Sequence, residues 1–283
     1  MTFLKTKFYG LIGYPVRHSL SPLMHNAALA HLKIKAKYKL FPLQEKDIGK
    51  FLRDLKKHNI LGFNVTIPYK ETIMRYAKGY VSEGVRAIGA ANTIVVDKRG
   101  RLKAYNTDYI GFAKDVAAHK LKPKKVVLIG AGGAAKAIAF ALGKLKVEEV
   151  AVFDIDRFRI LTLIKRMGDI FPDIHWKAVA NLDDVIFENK DLLINASPVG
   201  MQDTDPCVID LRKLPTGIFV YDVIYNPQET KLLKLAKDKG LRYANGLGML
   251  LYQGVEALNL WISPKKAPVE LMRKVLSRGV KKL

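Results

Sequence analysis

The segment that most constrains the fold is Val126-Val127-Leu128-Ile129-Gly130-Ala131-Gly132-Gly133-Ala134-Ala135, which continues as Lys136-Ala137-Ile138-Ala139-Phe140-Ala141-Leu142-Gly143. Four apolar residues without a polar break read as a strand buried on both faces, and the alanine-rich run after the glycines reads as a helix. In a strand–loop–helix unit of this kind Gly130 allows the tight turn and Gly132 lets the backbone approach a diphosphate. Ala135 at the third position permits close packing of helix on strand. The helix N-terminus adds free N–H groups and partial positive charge. Gly130, Ala131, Gly132, Gly133 and Ala134 are therefore candidate dinucleotide-binding residues. Reading the same window as a membrane span fails on Lys136 at its middle and on the clustered glycines.

Short apolar runs alternate with helical spacing along all 283 residues, the pattern of an α/β protein with parallel sheets. At ~150 residues per domain this length suggests two domains. Strands are expected at residues 8–13, 37–42, 61–66 and 93–97, with helices at 22–32 and 47–58. Ser21-Pro22 reads as a helix start, serine at the N-cap and proline at the first helical position. Lys33, Lys35, Lys37 and Lys39 alternate with apolar residues, so a strand there puts four lysines on one solvated face, a protected sheet edge. A second unit begins near Asp108. Its strands are expected at 126–129, 150–153, 174–179, 192–195, 219–222 and 241–244, with helices from Gly133 to about Leu145 and at 157–167. This is the order of a doubly wound dinucleotide-binding (Rossmann) domain. Helices at 249–261 and 269–280 close the chain and return to the first domain. The expected division is 1–105 with 248–283 against 106–247, with hinges near Asn106–Asp108 and Gly246–Gly248.

Charge narrows the partners only partly. Lys and Arg number 48 against 26 Asp and Glu, a net charge of +22. Such a balance suits a nucleic acid, an anionic membrane or an anionic small molecule. No helix-turn-helix, RNP or zinc-finger pattern accompanies it, and the reading is of no nucleic-acid and no membrane partner. A basic nucleic-acid-binding protein with a vestigial dinucleotide domain is the distant alternative. The single cysteine, Cys207, excludes an internal disulfide framework and fits a reducing cytoplasm. The six histidines show no ligand spacing, so no metal site is expected.

The end of the second strand of the dinucleotide unit bears on the ligand. Asp154 stands where a carboxylate bonds the adenosine ribose hydroxyls and repels a 2′-phosphate, which favours NAD over NADP. Asp156 also suits an N-cap, while Arg157 and Arg159 are within reach of a phosphate. Hydride transfer needs an alcohol or ketone beside the nicotinamide and a group to move its proton. Four clusters carry suitable residues beside turns: His18-Ser19-Leu20-Ser21-Pro22, Asn64-Val65-Thr66-Ile67-Pro68-Tyr69-Lys70, Gly89-Ala90-Ala91-Asn92-Thr93 and Tyr105-Asn106-Thr107-Asp108. Each has an ordinary structural use as well. Ser21 and Asp108 suit helix caps, Asn92 a turn, and Lys70 is one of many lysines.

Taken together, Ser-Leu-Ser-Pro, Asn-Val-Thr-Ile-Pro-Tyr-Lys, Gly-Ala-Ala-Asn-Thr, Tyr-Asn-Thr-Asp, Gly-Ala-Gly-Gly-Ala-Ala, Asn-Ala-Ser-Pro-Val-Gly-Met, Asp-Val-Ile-Tyr-Asn-Pro and Asn-Gly-Leu-Gly-Met-Leu-Leu-Tyr-Gln-Gly resemble the shikimate dehydrogenase family in order and spacing. The resemblance implies an N-terminal α/β substrate domain joined to a doubly wound Rossmann domain, with the site in the cleft between them. It implies reduction of 3-dehydroshikimate to shikimate with NADPH, in the pathway to chorismate and the aromatic amino acids, by a cytoplasmic monomer or homodimer. By motif it makes Lys70 and Asp108 the catalytic pair. Ser19 and Ser21 would hold the substrate carboxylate; Asn64, Thr66, Asn92 and Gln253 would bind ring hydroxyls, and Tyr225 would close the carboxylate end. Gly246 and Met249 would flank the nicotinamide, with Ser197 and Val223 nearby, Glu83 at a weaker cofactor position, and Arg159 toward the phosphate.

The departure from the family pattern lies after the second Rossmann strand. NADP-type members carry Asn-Arg-Thr there, and this chain has Asp154-Ile155-Asp156. Isoleucine replaces the arginine that would grip the 2′-phosphate, as in the NAD-using quinate/shikimate dehydrogenase branch. Both serines of Ser-Leu-Ser are intact, as in shikimate-type members.

Overall fold

The computed structural model describes residues 6–210, 212 and 214–280. The chain divides into two compact units, one running to Ile110 and resuming at Leu251, the other spanning Gly111–Leu250. The chain passes from one unit to the other inside α4 (Asp108–Ala118) and returns inside α8 (Leu247–Ile262). The boundaries thus fall within helices, a few residues beyond the hinges expected at Asn106–Asp108 and Gly246–Gly248.

The first unit is built on β1 (Lys7–Gly13), α1 (Ser21–His31), β2 (Ala36–Pro42), α2 (Glu45–Arg53), β3 (Ile60–Val65), α3 (Glu83–Ile88), β4 (Thr93–Val96) and β5 (Leu102–Tyr105). Its sheet runs β2-β1-β3-β4-β5. Strand β1 is parallel to β2 and β3, but β4 is antiparallel to both β3 and β5, so the expected all-parallel sheet is corrected to a mixed one. Between β4 and β5 the physical reason is the tight turn Asp97-Lys98-Arg99-Gly100. Asp97 accepts the Arg99 and Arg101 N–H groups and Gly100 takes φ +83°, which reverses the chain in four residues and leaves no crossover for a parallel return.

Three further local expectations are revised. Helix α1 begins at Ser21, and its N-cap is Leu20. Ser21 is therefore not the cap; the Ser19 hydroxyl accepts the Ser21 N–H instead, at 3.2 Å. Helix α2 stops at Arg53, short of His58, and the chain goes on in turns to Asn59 at φ +55°. Of the four alternating lysines only Lys37 and Lys39 lie in β2; Lys33 sits past the end of α1 at φ +52°, where the chain leaves the helix. Strand β2 is the edge expected, with both lysines exposed.

The end of the chain completes this unit. Trp261 of α8 donates Nε1–H to the Ile94 carbonyl at 3.0 Å and stacks on Tyr9 at 4.9 Å between ring centres. Its indole lies so close to Gly62 that a side chain on β3 at that point would strike it. Helix α9 (Val269–Val280) packs on α1, with Gly279 giving room for Leu23.

The second unit holds β6 (Lys125–Ile129), α5 (Gly133–Lys144), β7 (Glu149–Phe153), α6 (Arg157–Ile170), β8 (His175–Ala178), β9 (Leu192–Asn195), β10 (Phe219–Asp222), α7 (Lys231–Asp238) and β11 (Arg242–Asn245). Every pairing in its six-stranded sheet, β11-β10-β9-β6-β7-β8, is parallel. The order turns back between β6 and β9, the topological switch point at which open α/β sheets bind ligands beyond the carboxyl ends of their strands. Val127, Leu193 and Val220 are fully buried, as continuous apolar strands covered on both faces require. Among the described residues no helix is long and apolar enough to cross a membrane.

Candidate active site

In the first unit the carboxyl end of β3 and the start of α4 bring Lys70 and Asp108 together. Lys70 Nζ lies 2.7 Å from Asp108 Oδ2, with side chains 17% and 8% exposed. The ammonium thus keeps a face to solvent while its carboxylate partner is nearly enclosed. Asp108 Oδ1 accepts a second bond, from Asn92 Nδ2 at 2.7 Å. Asn106 Oδ1 receives the Asp108 N–H, so capping of α4 falls to Asn106 and the Asp108 carboxylate is left for the site.

Asn92 is the hub of this arrangement. Its Oδ1 accepts the Thr107 N–H at 2.7 Å and the Thr93 hydroxyl at 3.0 Å, which fixes the amide so that Nδ2 faces Asp108, Thr107 Oγ1 and, at 3.4 Å, Gln253 Oε1. Thr93 Oγ1, having donated to Asn92, accepts from Asn64 Nδ2 at 3.0 Å. Asn64 Nδ2 also donates to the Asn92 carbonyl, so both its protons are engaged and its Oδ1 is its remaining polar face. That oxygen accepts the Tyr38 hydroxyl at 2.8 Å, and Ser21 hydrogen-bonds the same phenol. One network therefore joins Lys70, Asp108, Asn92, Gln253, Asn64 and Ser21. Ser19 is tied to it through the Ser21 N–H, and Thr66 follows β3 with its methyl group turned toward Gly13.

Tyr38, Thr93 and Thr107 carry this network although the sequence reading assigned them no role. Alternation with lysines did mark Tyr38 as inward-facing, but nothing local announced its partners. Behind Tyr38 lies His25, fully buried and stacked on the phenol ring at 4.4 Å and 9°. Among the described residues neither ring nitrogen of His25 has a hydrogen-bond partner, and burial depresses its pKa to about 3.

In the second unit Gly130 takes φ +105°, and a side chain there would press on the Ala196 and Ser197 backbone at 2.9–3.0 Å. A Cβ at Gly132 would meet nothing, so the cradle at the N-terminus of α5 is open to a ligand, as a diphosphate requires. Asp154 Oδ2 accepts the Ala131 N–H at 2.7 Å and Oδ1 the Asp156 N–H at 2.9 Å, so this carboxylate also shapes the loop. Asp156 caps α6, accepting from Phe158 and Arg159, and its other oxygen pairs with Arg159 at 3.3 Å. Ser197 follows β9, and Val223 follows β10 packed so tightly on Gly246 that only glycine fits there. Met249 is buried in the first turn of α8. Tyr225 belongs to this unit, and burial raises its phenol pKa. Glu83, expected near the cofactor, opens α3 of the first unit, where its charge helps raise the pKa of Tyr109. No group of residues suited to a metal ion occurs among the described residues.

A parallel sheet with an open phosphate cradle, and a lysine–aspartate pair held on a separate α/β unit, define a nicotinamide-dependent oxidoreductase of two units. Residues 11–94 match the shikimate dehydrogenase substrate binding domain, and residues 246–276 the shikimate 5′-dehydrogenase C-terminal domain. The chain is 37% identical to the shikimate dehydrogenase (NADP(+)) of Bacillus cereus strain AH187, covering 96% of this chain and 98% of that one. It is also 37% identical to the same enzyme of Methanococcus maripaludis, over 98% and 99%. A solved shikimate dehydrogenase in complex with NADP+ superposes with a TM-score of 0.88 at 35% identity, over 99% of this chain and 98% of that one. One from Listeria monocytogenes, in complex with shikimate and NAD, gives 0.86 at 31%, over 96% of each. This chain belongs to the shikimate dehydrogenase family.

Proposed function

We propose that the chain interconverts 3-dehydroshikimate and shikimate, with Lys70 and Asp108 as its catalytic pair. The observation that carries the residue assignment is the Lys70–Asp108 contact at 2.7 Å, enclosed on the carboxylate side and open on the ammonium side. A dinucleotide bound at the Gly130–Gly133 cradle supplies the hydride. Lys70 then hydrogen-bonds the carbonyl oxygen, stabilises the alkoxide as it forms and delivers the proton. Asp108 holds the ammonium in place, and Asn92 keeps Asp108 from turning away. Ser19 and Ser21 offer hydroxyl donors to the substrate carboxylate, with Tyr225 toward that end. Asn64 Oδ1, Thr66 and Gln253 receive ring hydroxyls. In the second unit Ser197, Val223, Gly246 and Met249 serve the nicotinamide, and Glu83 of the first unit is assigned to the cofactor by its motif position. The first unit with its C-terminal helices is the substrate domain, and the second the dinucleotide domain. The enzyme works on small anions in the cytoplasm, as monomer or homodimer.

The test is steady-state kinetics of Lys70→Ala. Loss of a group that acts on the developing charge should lower kcat by ~100-fold or more while KM for shikimate changes little. Normal turnover in that variant refutes the assignment.

The dinucleotide admits a second reading. The curated relatives above are NADP(+) enzymes, and a quinate dehydrogenase of Corynebacterium glutamicum in complex with NAD also shares the fold, at 29% identity and a TM-score of 0.88. Asp154 and an almost fully exposed Ile155 at the end of β7 favour NAD in this chain. Comparing kcat/KM for NAD and NADP, on shikimate and on quinate, decides it. A tenfold preference for NADP, ~1.4 kcal/mol, contradicts a carboxylate that repels the 2′-phosphate.

A further inference from the structure

Asp222, the last residue of β10, is completely buried, and no basic residue pairs with it among the described residues. Its partners are all donors. Oδ1 accepts from Asn195 Nδ2 at 3.1 Å and from the Ile224 N–H at 3.0 Å; Oδ2 accepts the Thr230 hydroxyl at 2.7 Å. The Thr230 oxygen also accepts the Leu233 N–H as the N-cap of α7, which leaves its proton for Asp222. Two N–H donors and a hydroxyl, with no carbonyl or carboxylate facing it, favour the ionised form of the carboxyl group. Burial pushes its pKa up, and the three hydrogen bonds oppose that rise.

The same cluster shapes the rim of the dinucleotide unit. Asn195 Oδ1 holds the Ser197 N–H and hydroxyl at 3.1 and 2.7 Å, while its Nδ2 divides between the Val199 carbonyl and Asp222. The Ser197 backbone abuts Gly130, and Val223, next to Asp222, abuts Gly246. Asp222 thus ties together the loops that leave β9 and β10. With Asp154 placing the adenosine over β7, the other end of a dinucleotide lies on the β9–β10 side of the switch point. The oxidised nicotinamide ring is a cation and the reduced ring is neutral, so an unneutralised buried carboxylate on that side interacts differently with the two.

Resting on the dinucleotide assignment above, we propose that Asp222 is a positioning residue for the nicotinamide end of the site, and that its charge tightens binding of the oxidised dinucleotide relative to the reduced one. Asp222→Asn removes the charge at nearly the same size: its oxygen still accepts from Asn195 and Ile224, and the bond to Thr230 reverses, the amide donating to the hydroxyl oxygen. Dissociation constants of NAD+ and NADH, and of NADP+ and NADPH, are measured by calorimetry on the substrate-free protein at fixed ionic strength. For whichever pair binds, the ratio of the oxidised to the reduced constant should rise threefold or more in Asp222→Asn, and stay unchanged in Thr230→Ala, which loosens the loop but keeps the carboxylate. A ratio unmoved in Asp222→Asn overturns the inference, because a purely structural role weakens both forms alike. If the asparagine variant does not fold, Asp222→Ser is read by the same ratio. Failure of the unsubstituted protein to bind NAD(H) and NADP(H) alike instead overturns the functional reading on which the inference stands.

Discussion

One amide, that of Asn92, sets the geometry of the Lys70–Asp108 pair. Replacing Asn92 by Ala leaves the buried Thr107 N–H without its acceptor and Asp108 with one hydrogen bond fewer. Urea unfolding should show a loss of about 1–3 kcal/mol, and kcat/KM for shikimate should fall at least tenfold, ~1.4 kcal/mol. His25 gives a second residue-scale expectation. Its folded pKa of about 3 lies below the ordinary 6.5, so the unfolded chain binds the proton more readily between those values. Stability therefore rises with pH through this window, and its contribution is lost as pH falls from 6.5 toward 3. Between pH 7 and 5 the loss is about 2 kcal/mol by linkage, and it should vanish from the pH profile of His25→Phe. Lys70, Asp108 and Asn92 were legible as members of ordered motifs. The stacking of His25 on Tyr38 was not, because a buried histidine looks the same in sequence as an exposed one.

Elements were legible where burial is simple. The covered strands β9 and β10 match their expected bounds because Leu-Leu-Ile-Asn and Phe-Val-Tyr-Asp are uninterrupted. Strand β5, Leu-Lys-Ala-Tyr, escaped notice because a lysine breaks so short a run. With it went the antiparallel hairpin, though Gly100 marked the turn. Helix α7 was missed although Thr230 caps it and its leucines recur at helical spacing. At the sheet edge the two exposed lysines of β2 keep other strands away. Substituting Lys37 and Lys39 together by Val should leave the circular dichroism spectrum intact and produce concentration-dependent association in light scattering.

At the scale of the molecule the net charge of +22 belongs to an enzyme of a family whose substrate and dinucleotide are anions. Raising ionic strength from about 0.02 M to about 0.5 M shortens the screening length from ~20 Å to ~4 Å, so kcat/KM for shikimate should fall severalfold while kcat holds. A flat profile would mean that the lysines act only as a solvated coat. The passage of the chain through α4 and back through α8 has a consequence for synthesis on the ribosome. The second unit is one unbroken stretch and is complete once Leu250 has emerged. The first unit begins earlier yet finishes later, since β4 waits for Trp261, the Asn92 network for Gln253, and α1 for α9. The part of the chain made first is thus the last to close, and until then the face of α1 that meets α9 stands open to whatever else is nearby.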